Sequence, residues 1–272
     1  MIAQGLRSLL FYAFYWVQTG VLSIVVGLGA VLTRPGSRFG WSAALYWAYS
    51  NRVALWLFGG IRTVIEGEEN IPDGPAILAA KHMSDWDIFA LLPASKRPAF
   101  IAKKELMDLP FFGRAAQNFD TIRIDRSLGA QAIPAMIEEA RAAIARGARI
   151  IIFPEGTRKA PLEEPDYRQG VVRLYQSLNV PVVPVALNSG LFWGRRSLLL
   201  WRGTAKARFL PPIPPGLEGP VFRARLIEAI ETESNALMLE AYERGLARPI
   251  SDAMRVKLET LRQAAAPGPD SQ

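Results

Sequence analysis

The chain has no cysteine and a single histidine in 272 residues. Without cysteine it can form no disulfide, no thiolate nucleophile and no cysteine-ligated zinc site. With one imidazole, any chemistry that needs two histidines or a histidine-rich metal cluster is excluded too. Charge is missing from one long stretch: residues 8–33 contain no Asp, Glu, Lys or Arg. As a helix that stretch would be about 39 Å long, against a bilayer hydrocarbon core of about 30 Å. A cleaved signal peptide would carry a shorter apolar region, about 7–15 residues, so a retained membrane segment is expected.

Cations flank this segment, with Arg7 before it and Arg34 and Arg38 after it. A second apolar stretch, residues 39–61, is rich in Trp and Tyr but has Asn51 and Arg52 near its middle. Arg is costly at mid-bilayer, whereas aromatic rings and a snorkelling Arg suit the headgroup level. Residues 1–60 therefore read as a membrane-anchoring two-helix element, joined around Arg34-Pro35-Gly36-Ser37, with the second helix lying in the interface. Net charge is +7 and half the residues are hydrophobic. Dispersed cations and a lipid-facing segment argue for an anionic membrane rather than nucleic acid as the partner.

Residues 61–249 alternate between strand and helix patterns. Strands are expected at 75–80, 99–102, 121–124, 149–153 and 180–187, and helices at 130–146, 171–178 and 222–244, the first closed by Gly147. The expected fold is α/β, a mixed, largely parallel sheet covered by helices. Residues 250–272 read as a C-terminal tail, with 264–272 disordered.

Four of the strands end in charge: at Lys81-His82, at Lys103-Lys104, at Asp125-Arg126, and at Glu155-Gly156-Thr157-Arg158. In open α/β sheets ligands bind beyond the carboxyl ends of the strands, so these clusters are expected to share one crevice. His82 is the candidate general base. Asp87, five residues on, cannot share a continuous helix face with it, since that spacing turns about 140° around the axis. The pair meets only if His82 precedes a helix and Asp87 lies in its first turn, with Ser84 as the expected N-cap. A carboxylate there would fix the imidazole tautomer. Arg158, Lys103 and Arg126 offer donors suited to a phosphate, and Gly156 would allow close backbone approach.

These residues carry a resemblance. His82-Met83-Ser84-Asp85-Trp86-Asp87 matches a His-x-x-x-x-Asp motif; Ile122-Arg123-Ile124-Asp125-Arg126, Phe153-Pro154-Glu155-Gly156-Thr157-Arg158 and Val183-Pro184-Val185-Ala186 come after it as later blocks in the same order. The chain resembles the 1-acylglycerol-3-phosphate acyltransferases over residues 60–215, and Lys103-Lys104-Glu105-Leu106 with Pro110-Phe111-Phe112-Gly113 adds to the likeness. It departs from the family pattern at Lys81, Asp120 and Lys159, where Asn, Gly and Ser are common.

The resemblance implies His82 and Asp87 as the catalytic pair. It implies Lys103, Arg126, Glu155, Gly156, Thr157 and Arg158 as the phosphate or head-group site. No metal and no bound cofactor are expected; acyl-CoA or acyl carrier protein would be the co-substrate, and a lysophospholipid, foremost 1-acylglycerol 3-phosphate, the acceptor. The expected location is a bacterial inner membrane, with the catalytic domain on the cytoplasmic side. Other readings stay open: another acceptor such as a lyso-ornithine lipid, a membrane-bound hydrolase using Ser84 as nucleophile, or a silent lipid-binding protein.

Overall fold

A computed structural model describes residues 2–29, 32, 38–117 and 119–265. In chain order the elements are α1 (Ile2–Gly29), α2 (Arg38–Ala54), β1 (Ile61–Glu66), β2 (Ile77–Ala80), α3 (Trp86–Ala94), β3 (Pro98–Lys103), α4 (Lys104–Met107), α5 (Phe112–Gln117), β4 (Ile122–Ile124), α6 (Ile133–Ala145), β5 (Arg149–Ile152), α7 (Gln169–Leu178), β6 (Val182–Leu187), β7 (Gly203–Phe209), α8 (Gly219–Glu243) and α9 (Asp252–Ala265). The strands form one sheet in the order β1-β7-β6-β2-β5-β3-β4. Every pairing is parallel except β6 with β7.

The central strands are the continuous apolar runs. Every residue of β2, β5 and β6 is buried, as both-face coverage by helices requires. α6 keeps its helical period, burying Met136, Ala140 and Ala143, and stops where Gly147 takes φ +84°. β1 and β7 are not among the expected strands; β7 alternates, burying Ala205, Ala207 and Phe209, and β1 buries only Ile61. Arg208 and Lys206 on β7 both pair with Glu66 on β1, so these strands are held by cross-strand ion pairs as well as by their apolar face.

α1 is long and apolar enough to cross a membrane and leaves Leu9, Trp16, Val17 and Ile24 exposed. Its polar residues turn toward α2: Trp47 Nε1 donates to Thr19 at 2.9 Å and Asn51 Nδ2 to Gln18 at 3.1 Å. The expected join at Arg34 to Ser37 lies outside the described residues. Arg52 does not snorkel outward as expected. Its Nε donates to Phe89 O at 2.8 Å and its Nη2 to Ala90 O at 2.7 Å. Pro93 inside α3 has no N–H to give the Phe89 carbonyl, and Arg52 supplies that missing donor. Phe11, Ala54 and Leu55 are buried in the same apolar cluster as Trp86 and Phe89, so α1 and α2 share a core with α3 and the sheet. At the other end, α9 occupies much of the expected tail, burying Leu258; residues 266–272 lie outside the described residues.

Candidate active site

β2, β5, β3 and β4 are neighbours in the sheet, so their carboxyl ends open on one edge. A cavity of about 510 Å³ lies there, within the usual range for ligand sites, lined at one end by His82, Lys103, Arg126, Gly156, Thr157 and Arg158. The rest of its wall is mostly apolar, with Leu22 and Val26 from α1, Ala44 and Trp47 from α2, Leu92 from α3 and Ala116 from α5, and includes Asp85, Thr19, Ser23 and Thr121. Six of the eight expected site residues thus face one space. Asp87 and Glu155 stand behind it.

The local fold around His82 is set by Asp87. The chain leaves β2 at Ala80 and begins α3 at Trp86, which places Asp87 in the first helical turn, fully buried. Asp87 Oδ2 accepts from His82 Nδ1 at 2.8 Å, Met83 N at 2.8 Å and Ser84 N at 3.0 Å, while Oδ1 accepts from Ser84 Oγ at 3.2 Å and Ser189 Oγ at 2.5 Å. The carboxylate gathers donors that would otherwise be orphaned in the loop. Because Nδ1 faces a carboxylate it carries the proton, and Nε2, with no hydrogen bond among the described residues, is the basic nitrogen. The Phe153 ring stacks on the imidazole, 3.9 Å between centroids and 17° between planes, fixing its plane.

Ser84 is not the N-cap. Asp85 takes that position, and the Ser84 hydroxyl donates to Asp87 rather than accepting from the helix backbone. The carboxylate three residues on accepts from both the hydroxyl and the N–H of Ser84, which turns that side chain toward Asp87.

The cations differ in their surroundings. Arg158 Nη1 donates to Asp85 at 2.9 Å. Arg126 donates from Nη1 to the Gly156 carbonyl, and burial lowers its pKa. Gly156 itself sits at φ +66°, a turn that most side chains resist. Lys103 is exposed at the end of β3, whereas Lys104 is tied to Asp125 at 3.2 Å.

Glu155 corrects an expectation. It was expected beside the phosphate, yet its side chain is fully buried and forms no part of the cavity wall. Oε1 pairs with Lys81 Nζ at 3.2 Å and Oε2 accepts from His82 N at 3.1 Å. A second carboxylate aimed at a phosphate would repel it, and the interior cation offers a better partner. Burial nonetheless pushes the Glu155 carboxyl above its ordinary value.

Asp85, Phe153, Ser189 and Lys81 complete the site and were not singled out as site residues from the sequence. Ser189 had a readable signal, since it comes after β6 as the expected residues come after β2 to β5. The others depend on contacts between distant segments.

The comparisons agree with the geometry. A family model described as Acyltransferase matches residues 62–188. A 1-acyl-sn-glycerol-3-phosphate acyltransferase of Pseudomonas aeruginosa is 31% identical over 87% of this chain and 92% of its own length. The human 1-acyl-sn-glycerol-3-phosphate acyltransferase alpha is 31% identical over 57% of this chain and 56% of its own. The crystal structure of the 1-acyl-sn-glycerophosphate (LPA) acyltransferase PlsC from Thermotoga maritima has the same fold, with a TM-score of 0.70 at 23% identity, covering 85% of this chain and 95% of that one. With the paired His82 and Asp87 set at the head of an amphipathic cavity, and a relative of this similarity along nearly its whole length, the chain belongs to the 1-acylglycerol-3-phosphate acyltransferase family of O-acyltransferases.

Proposed function

We propose that the protein transfers an acyl group from an acyl thioester to the free hydroxyl of 1-acylglycerol 3-phosphate, giving phosphatidic acid. The observation that carries this reading is a base whose Nδ1 is locked to Asp87, at a cavity that gathers Lys103, Arg126 and Arg158 and is otherwise mostly apolar. Such a cavity suits an amphipathic acceptor, its phosphate near Lys103, Arg126 and Arg158 and its acyl chain among the apolar walls.

His82 Nε2 takes the proton as the acceptor oxygen attacks the thioester carbon. The tetrahedral oxyanion then collapses, the carbon–sulfur bond breaks, and the imidazolium returns its proton to the departing thiolate. Asp87 stabilises the imidazolium between these steps. General-base assistance of this kind is worth about 10²–10⁴ in rate. Acyl-CoA or acyl carrier protein is the donor, and the exposed apolar face of α1 holds the enzyme at a bilayer, on the cytoplasmic side of a bacterial inner membrane.

Ser84 as a nucleophile is disfavoured by its bond to Asp87 and its full burial. The test is an acyl-transfer assay across phosphate-bearing and phosphate-free lysolipids, including a lyso-ornithine lipid, with both donor types. Faster transfer to 1-acylglycerol 3-phosphate supports the reading. Preference for an acceptor without phosphate, or thioester hydrolysis through an acyl-Ser84 intermediate, refutes it.

A further inference from the structure

Behind His82, in the interior, lie charged groups that the reaction scheme leaves idle. Lys81 has a fully buried side chain, and its Nζ donates to Glu155 Oε1 at 3.2 Å and to the two oxygens of Glu231 at 2.7 and 2.8 Å. The Tyr167 hydroxyl donates to Glu231 Oε1 at 2.9 Å. The remaining Glu155 oxygen accepts the His82 N–H at 3.1 Å, and the His82 carbonyl in turn accepts from Lys159 N at 2.8 Å. One network therefore ties the end of β2, the loop after β5, the lead-in to α7 and the middle of α8.

Its arrangement is expensive. Lys81 and Glu155 are fully buried and Glu231 is partly so, and charges placed there bring little stability over apolar side chains of similar volume, because desolvation offsets the attraction. α8 presents Leu226 and Ile230 to the core beside the sequence position where Glu231 falls, so an apolar filling was within reach. What the charges add is direction. Asp87 fixes the imidazole ring by Nδ1, but a ring is fully placed only when its backbone is fixed too, and the His82 main chain is bonded at N–H and C=O to the loop that Glu155 anchors.

We infer that Lys81 and Glu231 are positioning residues for acyl transfer: Glu231 holds the Lys81 ammonium, Lys81 holds the Glu155 carboxylate, and through it the backbone of His82 is kept at the place where Nε2 meets the acceptor hydroxyl. The inference rests on the reading of His82 as the base. Neither residue touches the cavity, and Glu231 lies far from His82 in sequence, so no motif carries it.

The test uses the full chain with Glu231→Gln, which keeps the shape and removes the charge. Turnover and acceptor KM are measured beside the ¹⁵N spectrum of the protein's single histidine, whose signal needs no assignment. A misplacement of about 1 Å can cost about a hundredfold, so a partly loosened His82 is expected to lose about tenfold in kcat with acceptor KM little changed. The His82 ring resonances are expected to move at the same time. A folded variant with unchanged kcat overturns the inference, as does a fall in kcat with an unmoved His82 signal, since the loss would then not pass through His82. If Glu231→Gln does not fold, Tyr167→Phe, which removes only a hydroxyl donor, is judged by the same two readouts. His82→Ala run alongside separates the claims. If it stays active the base assignment fails; if it is inactive while Glu231→Gln behaves as wild type, the base stands and the positioning role falls.

Discussion

Arg158 and Asp85 form an ion pair, Nη1 to Oδ2 at 2.9 Å, and both line the cavity that contains His82. Burial holds the Asp85 carboxyl above its ordinary value of 3.8, with Arg158 and His82 opposing that shift and Asp87 reinforcing it. A carboxyl raised on folding contributes stability that is present below its unfolded value and lost as pH rises through the native one. Wild type is therefore expected to lose stability relative to Asp85→Asn as pH climbs from about 4 toward neutrality, and paired melting curves across that range check it. Glu155, raised in both proteins, cancels from the difference.

Asp87 fixes which nitrogen of His82 is basic. Asp87→Asn keeps the shape but lets the ring take the wrong tautomer and leaves the imidazolium without a counter-charge. Turnover is expected to fall by at least about a hundredfold with acceptor KM little changed. Ser189→Ala, which removes one donor to Oδ1, is expected to cost less. Steady-state kinetics on both variants give the order.

For Arg158 the expected effect lies in binding. Charge-assisted hydrogen bonds contribute about 1.5–3 kcal/mol each, so Arg158→Ala is expected to lower kcat/KM for a phosphate-bearing acceptor by about 10–100-fold. The loss is expected mainly in acceptor KM. An acceptor lacking phosphate should show little change, and equal losses for both would place Arg158 elsewhere in the chemistry.

At the apolar end, Ala116 is nearly buried and lines the cavity wall. Ala116→Phe fills part of that space, and overpacking a closed wall costs about 1–3 kcal/mol when the larger group cannot be accommodated. Long acyl chains are expected to lose more activity than short ones, as competition between thioesters of different length would reveal.

Much of the fold was legible in the sequence because the central sheet is built from apolar runs that stop at charge. Ile77 to Ala80 and Arg149 to Ile152 announce buried parallel strands, and the same strand ends deliver His82 and Arg158 to one edge. The spacing of His82 and Asp87 forced a loop-to-helix transition between them, which the structure contains. β1 and β7 were illegible because β1 has no alternating pattern, that of β7 is short, and their polar residues find ionic partners only on the neighbouring strand. Arg52 turned out to face inward for a similar reason: its partner, the carbonyl freed by Pro93, exists only once α2 and α3 lie together. Glu155 sits inside a motif, and motif membership does not say whether a side chain faces the ligand or the core. Lys81 and the His82 N–H, brought in from a distant segment, turn it inward.

The central claim is that His82, oriented by Asp87, is the base for acyl transfer. The most direct measurement is turnover of an acyl thioester with 1-acylglycerol 3-phosphate by His82→Ala, with folding verified by its melting transition. A loss of about 10²–10⁴ or more in kcat is expected, with the variant still folded. A folded His82→Ala protein that transfers acyl groups at close to the wild-type rate would contradict it.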